Sequence, residues 1–374
     1  MVLRTLKLQN FRNLSGEYTL SNGINIIVGK NGLGKTNFIE SIHFLSNGKS
    51  FRTNSDLYAI KRSLIELDEI AFARVEGIIM DSLGSEQTKD VYLEKSNNGN
   101  GVKKVLKINS KKVSQANFLH VFYSIVFSPN SIDLVISSPF ERRKDLDDFL
   151  CVFNDSYSKI LFDYRRVVRN RNKLFEKISM QKGKKEELNF WNNELIHLAP
   201  IIIYERIKMI KRINKVIKRI GPDMFNLDLE DLDIFYDSKF AQHSSEFNDI
   251  EAKFREKVSD NIHKEIRACT TLYGPQREDF HFNLNSNDLK EMGSRGQQRL
   301  FSFLYKMAQW KILKEKIEYP PILLLDDIFS ELDDKVQKNV CKFLSKIDVQ
   351  IIITTTNIDG FSDKFIKRLH KIQL

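Results

Sequence analysis

Alternating apolar and polar positions define the first elements. Leu6 and Leu8 alternate with Lys7 and Gln9, so residues 2–30 read as strands. The second of these, Gly23-Ile24-Asn25-Ile26-Ile27-Val28, runs directly into Gly29. From Lys35 to about Leu45 the spacing changes, and Phe38, Ile39, Ile42 and Leu45 recur as one face of a helix. Short strands and turns are predicted over roughly 65–127, with Ser96-Asn97-Asn98-Gly99-Asn100-Gly101 as a turn-rich tip between two of them.

Beyond Ser138-Pro139 the pattern is helical as far as Gly221. Ile203, Ile207, Ile210, Ile213, Ile217 and Ile220 keep helical spacing. A continuous helix from Glu186 to Ile220 would span about 50 Å. Pro200 lacks an N–H and predicts a break or kink near Leu198. Gly221-Pro222 is expected to end the helical run, with another helix at about 247–267. From Thr271 strand and helix alternate again. Ile322–Leu325 and Val349–Ile353 are the continuous apolar runs expected of buried parallel strands. No internal repeat or low-complexity segment interrupts this plan. It is an α/β domain split in sequence around a helical insertion of about 120 residues.

Composition narrows the setting. The 374 residues are 41% hydrophobic, enough for an ordinary core. No apolar run reaches the roughly 18–20 residues of a membrane helix, and the N-terminus lacks the apolar stretch of a signal peptide. A cytoplasmic protein is expected. Cys151, Cys269 and Cys341 are too scattered for a disulfide framework or a zinc site and read as free thiols. His43, His197 and His281 show no metal-ligand spacing. The net charge of +10 points to a polyanionic partner, although a lysine-rich proteome yields the same excess.

The chemistry lies in three motifs. Gly29-Lys30-Asn31-Gly32-Leu33-Gly34-Lys35-Thr36 matches G-x-x-x-x-G-K-[ST] between a strand and a helix. Its backbone N–H groups and the helix N-terminus suit phosphate, with Lys35 on the β- and γ-phosphates and Thr36 on Mg²⁺. Ile322-Leu323-Leu324-Leu325-Asp326-Asp327 is an apolar strand ending in two acids, the Walker B form. Asp326 is expected to hold Mg²⁺ and Asp327 to orient or deprotonate the attacking water. An Asp is one methylene shorter than the Glu often found there, which predicts slow turnover. Gly293-Ser294-Arg295-Gly296-Gln297-Gln298-Arg299 precedes a helix and resembles the signature motif of ABC-type ATPases. In that superfamily the motif caps the γ-phosphate held by a second subunit, so Ser294, Gly296 and Gln297 imply a dimer sandwiching two ATPs. Ser330-Glu331-Leu332-Asp333 resembles the D-loop of the same interface.

The resemblance becomes specific in longer blocks. Leu8-Gln9-Asn10-Phe11-Arg12-Asn13, then Gly34-Lys35-Thr36-Asn37-Phe38-Ile39-Glu40-Ser41-Ile42, then Lys49-Ser50-Phe51-Arg52 are similar to the RecF family. So are Phe127-Ser128-Pro129, Ser138-Pro139 with Arg142-Arg143, Gly274-Pro275-Gln276-Arg277-Glu278-Asp279-Phe280, and Thr354-Thr355-Thr356. The likeness covers the whole length. It implies an ABC/SMC-type P-loop ATPase head split in sequence, with residues 1–140 and 269–374 as its halves and 141–268 as a mainly helical arm. Asn130, Ser131 and Gln276 stand where the family usually has acidic residues and a His. Thr354-Thr355-Thr356 stands where ABC enzymes place a phosphate-sensing His, so a threonine hydroxyl is expected to substitute.

The resemblance further implies an ATP-dependent homodimer on single-stranded, double-stranded, gapped or junction DNA. Such proteins act in recombination, replication and the SOS response, helping RecR and RecO to load RecA. By analogy with SMC heads, Arg12 and Arg52 are expected near ATP phosphate, with DNA contact or plain surface as alternatives. DNA phosphate is assigned to Arg142, Arg143, Arg165, Arg166 and Arg169, with Arg171 on the same helix; the bland alternative is a solvated face. Lys208, Lys211, Arg212, Lys215, Lys218 and Arg219, opposite the isoleucines, suit DNA or RecR. A transport subunit or a phage-defence ATPase is the alternative. The RecF-like blocks argue against the first, and the lack of residues for a nuclease domain argues against the second. The short insertion argues against an SMC tether.

Overall fold

A computed structural model describes residues 1–53, 55–66, 70–81, 83–96, 101–119, 121–225, 232–242, 244–332 and 334–374. The chain opens on β1 (Val2–Phe11), β2 (Leu14–Thr19) and β3 (Ile24–Val28), which feeds α1 (Lys35–Asn47). Next come β4 (Phe72–Met80), β5 (Glu86–Lys95), β6 (Val102–Ile108), β7 (Lys111–Lys112) and β8 (Ser124–Phe127). Three helices follow, α2 (Pro139–Phe153), α3 (Asp155–Ser179) and α4 (Leu188–Phe225). After β9 (Leu232–Asp237) and α5 (Phe247–Ala268) come β10 (Asp279–Leu284) and β11 (Asn287–Asp288). The chain closes with α6 (Arg295–Lys316), β12 (Ile322–Asp326), α7 (Asp334–Leu344), β13 (Ile351–Thr355) and β14 (Leu369–Lys371). Of the predicted tip between β5 and β6, residues 97–100 lie outside the described residues; Ser96 and Gly101 flank it and are joined by a backbone hydrogen bond of 2.9 Å.

Two compact units result: Met1–Asp133, Ile220–Leu227 and Arg295–Leu374 form the first, and Leu134–Arg219 with Asp228–Ser294 the second. Among its described residues the first unit has an antiparallel sheet, β2-β1-β4-β5-β6-β7, and a sheet of order β14-β3-β13-β12-β8 whose pairings are all parallel. The alternation along β4 buries Ala73, Val75 and Ile79. Every residue of β12 and β13 is buried, which is why these strands read as unbroken apolar runs. Leu3, Leu6 and Leu8 of β1 share one core with Phe38, Ile39, Ile42 and Leu45 of α1. The approach at Gly77 is close: a Cβ there would lie 2.4 Å from Leu45 Cδ2. The last carbonyls of α1 and the residue after it are closed by side chains. Lys89 Nζ donates to Ser46 O at 3.2 Å, Gln115 Nε2 to Asn47 O at 2.8 Å and Lys104 Nζ to Gly48 O at 2.9 Å. Cations suit the negative end of a helix. Lys89 is fully buried, and loss of hydration holds its pKa well below that of an ordinary lysine.

In the second unit, Ser138 and Glu141 form a reciprocal capping box that starts α2, with Pro139 in the first turn. Helix α4 runs unbroken through Pro200, so the predicted break does not occur. The missing hydrogen bond costs about 3 kcal/mol. Leu195, Leu198, Ala199, Ile202 and Ile203 are buried around it, and each large apolar side chain contributes about 1.5–3 kcal/mol. Packing outweighs the lost bond, and the helix also passes Gly221-Pro222 to Phe225. The boundary expected at 268/269 lies within this unit, because β10 pairs with β9 over Asp279–Leu284 and Leu232–Asp237.

Buried ion pairs hold the second unit together. Arg206 makes two 2.9 Å bonds to Asp147 and a 2.6 Å bond to Pro275 O. Glu278 accepts from Tyr236 Oη at 2.7 Å and Ser238 Oγ at 2.5 Å, while burial raises its pKa. Arg171 bonds Glu265 at 2.5 Å, Asn192 at 2.8 Å and Thr271 at 3.1 Å, and both charged partners are fully buried. Removing one member of such a pair strands a charge away from water. Arg171→Met is therefore expected to destabilise the protein by about 3–5 kcal/mol, read as a lower urea midpoint. Adding Glu265→Leu should recover part of the loss. A single variant with the parental midpoint would show that the pair is not a stabilising link.

Candidate nucleotide-binding site

The phosphate loop joins β3 to α1. Gly32 and Gly34 sit at φ 89° and 99°, a region that side chains disfavour. At Gly34 crowding adds to this, since a Cβ would lie 2.9 Å from Asn13 Oδ1 and Leu14 Cδ2. Lys35 is buried and folds its ammonium back over the loop, donating to Gly29 O at 2.5 Å, Lys30 O at 3.2 Å and Asn31 Oδ1 at 3.4 Å. This fixes an ammonium where phosphate oxygens would arrive. Leu33 is exposed at the loop's crest.

The parallel register brings Walker B to this loop. Asp326 pairs with Thr354 across β12 and β13. Asp326 Oδ1 accepts from Thr36 Oγ1 at 3.1 Å and Thr354 Oγ1 at 2.8 Å. Burial is the largest influence on its carboxyl and raises the pKa. The two hydroxyl bonds and the Arg52 charge pull it down, while Asp327 adds to the rise. A hydroxyl and a carboxylate oxygen in contact are the hard donors that Mg²⁺ prefers, so Thr36 and Asp326 fit that ion. Asp327 is half-buried at φ 49°, an uncommon conformation for a residue with a Cβ. Its N–H donates to Thr354 O and Oγ1, each at 3.1 Å. Thr354 is thus committed to the two aspartates, and Thr355 Oγ1 donates to Asn357 O at 2.7 Å. Of the three threonines expected to replace a sensing His, Thr356 is the exposed one.

Arg12 and Arg52 meet on Glu40, a carboxylate that the sequence reading passed over. Arg12 donates from Nε at 3.0 Å and Nη2 at 2.7 Å, Ser50 Oγ at 2.5 Å, and Arg52 Nη1 at 3.3 Å. Arg52 Nη1 also reaches Asn37 Oδ1 at 2.8 Å, and Asn37 Nδ2 reaches Asn13 Oδ1 at 2.7 Å. The signature residues Ser294, Arg295, Gly296 and Gln297 are exposed where α6 begins. Ser330 in the D-loop-like turn donates to Asp327 O at 2.7 Å, and Asp333 lies outside the described residues.

The arginines assigned to DNA divide sharply. Arg142 is 2% exposed, with both ends of its fork on Asp279 at 3.0 and 2.5 Å and Nη1 on Ser137 O at 2.6 Å. It is a structural arginine, and its assignment to DNA is corrected. Arg171 is corrected likewise by its buried pair with Glu265. Arg143 is half-buried and donates to Glu278 O at 2.7 Å. Arg165, Arg166 and Arg169 are exposed on α3, Arg165 lying 3.6 Å from Asp147 and Arg166 3.1 Å from Asp163. On α4, Lys208, Lys211, Lys215, Lys218 and Arg219 are exposed, while Arg212 is half-buried over the Phe153 ring.

Known proteins are similar to this chain in sequence and fold. The RecF/RecN/SMC N-terminal domain family model matches residues 2–373. The DNA replication and repair protein RecF of Acetivibrio thermocellus is 32% identical over 97% of this chain and 95% of its own. That of Clostridium botulinum is 33% identical over the same shares. A solved structure of the recombination mediator protein RecF with ATP superposes with a TM-score of 0.85 at 30% identity, covering 99% of this chain and 95% of that one. An SMC head bound to the C-winged helix domain of ScpA, at 15% identity and a TM-score of 0.53 over 100% of this chain and 94% of that one, shares the fold. On a family match spanning 2–373 and relatives at this identity over nearly the whole chain, the protein belongs to the RecF family.

Proposed function

We propose that this protein is an ATP-controlled DNA-binding mediator of recombinational repair and replication-fork maintenance in the cytoplasm. It dimerises on ATP, engages gapped or junction DNA that carries single- and double-stranded parts, and assists RecR and RecO in loading RecA. The observation that carries the reading is the contact of Thr36 with Asp326 beneath the phosphate loop, which joins both nucleotide motifs in one site. Family membership supports the DNA and partner roles.

In this reading Lys35 exchanges its loop acceptors for phosphate oxygens, and the loop's N–H groups with the α1 N-terminus hold the rest. Thr36 and Asp326 would hold Mg²⁺, which supplies charge neutralisation on the phosphates. Asp327 accepts the proton of the attacking water. The carboxylate is short, so hydrolysis is slow and acts as a release timer. The exposed Ser294, Gly296 and Gln297 cap the nucleotide of a second copy, and exposed Arg165, Arg166 and Arg169 contact DNA phosphates.

Lys35→Met should weaken ATP binding at least tenfold in a titration, since a charge-assisted bond is worth about 1.5–3 kcal/mol. Asp327→Asn should bind ATP normally and hydrolyse it at least a hundredfold more slowly, an order of magnitude set by general-base catalysis; parental turnover would remove Asp327 from the base role. Sedimentation with ATP and Mg²⁺ should show a dimer that Asp327→Asn accumulates and Ser294→Arg abolishes while ATP binding persists. A parental monomer under saturating ATP would rule out the shared site. Neutralising Arg165, Arg166 and Arg169 together should weaken DNA binding equally across sequences. It should also flatten the slope of log affinity against log salt by roughly one unit for each DNA phosphate no longer neutralised. If affinity and slope both hold, these arginines form a solvated face.

A further inference from the structure

We propose that Glu40 is a positioning residue for the nucleotide: from inside the phosphate-loop helix it holds the Arg12 and Arg52 guanidinium groups in a fixed anion-facing pair. The proposal rests on the reading of those arginines as nucleotide contacts. Glu40 itself is fully buried, whereas Arg12 and Arg52 are 19% and 40% exposed. A carboxylate taken from water carries a desolvation cost of several kcal/mol, and a merely structural link between α1 and its neighbours needs no charge. Here four donors meet that single acid. Two guanidinium charges against one carboxylate leave a surplus of one positive charge beside the phosphate loop.

The forks are incompletely used. Arg12 spends Nε and Nη2 on Glu40, and Arg52 spends Nη1 on Glu40 and Asn37. Arg12 Nη1 and Arg52 Nε and Nη2 have no protein acceptor among the described residues. Arg12 is also held at φ 55°, tied by its N–H to Ala59 O at 2.8 Å. Such a conformation is disfavoured for a residue with a Cβ and persists where surroundings over-determine it, most often at functional sites. The cluster abuts the loop through Asn13, whose Oδ1 is 2.9 Å from where a Cβ on Gly34 would stand.

The test is ATP affinity by calorimetric titration of the full chain with Mg²⁺, alongside thermal melting. Glu40→Gln keeps the shape and removes the charge. It should lower affinity about tenfold, a change of about 1.4 kcal/mol, of the order of one weakened charge-assisted contact. In an Arg12→Gln/Arg52→Gln background it should add nothing, because Glu40 acts through those arginines. A Glu40→Gln protein that melts earlier yet binds ATP like the parent has lost only a structural link, and the proposal fails. It fails equally if the full tenfold loss recurs in the background variant. If Arg12→Gln/Arg52→Gln itself binds ATP normally, the arginines do not touch nucleotide and both readings fall together. Should Glu40→Gln not fold, Glu40→Asp, which keeps the charge one methylene short, carries the same comparison.

Discussion

The first unit depends on one carboxylate oxygen. Asp326 Oδ1 takes a hydrogen bond from Thr36 at the start of α1 and another from Thr354 on β13. Three segments of chain therefore converge on a single atom at the C-terminal end of β12. The arrangement is possible because β12 pairs in parallel with β13, and β13 with β3, so their C-terminal ends lie at one edge of the sheet. An open α/β sheet binds ligands at that edge. The buried apolar faces of the strands set the register, and the register sets the chemistry.

The two units use charge differently. In the first, Lys35 folds over the phosphate loop, Arg12 and Arg52 converge on the buried Glu40, and Asp326 gathers two threonine hydroxyls. In the second, Arg142, Arg171 and Arg206 lie inside, each matched to a carboxylate. These pairs fix which element faces which, since a guanidinium fork accepts few geometries. A protein with an excess of ten positive charges thus spends several of its arginines on internal order rather than on its exterior.

That division marks the limit of what sequence can reveal. The phosphate loop was legible because its chemistry is local: eight consecutive residues between a strand and a helix. Walker B was legible because an apolar run ending in two acids has few other uses. Arg142 and Arg171 were misassigned because an arginine on a helical pattern looks the same whether it faces water or a carboxylate. The deciding partners, Asp279 and Glu265, are 137 and 94 residues away. Glu40 enters the sequence reading only as a member of a family-like block and without a role, because its partners Arg12 and Ser50 lie 28 and 10 residues away. The break read from Pro200 fails for a different reason, since a local rule about backbone hydrogen bonds yields to packing along α4.

The contact of Thr36 with Asp326 spans 290 residues of chain, and Leu3 bonds Gln350 across 347. During synthesis, at about 5–20 residues per second, the loop must therefore wait roughly 15–60 s for its acid to emerge. Throughout that interval β3 lacks both neighbours in its sheet, since β13 and β14 lie near the end of the chain. Unpaired strand edges and apolar faces invite association with other chains. The nascent protein thus passes through a long stage in which its first half is sticky and cannot assemble the nucleotide site. Premature termination anywhere between Thr36 and Asp326 leaves a chain that has the complete phosphate-binding sequence but lacks the carboxylate that Thr36 bonds.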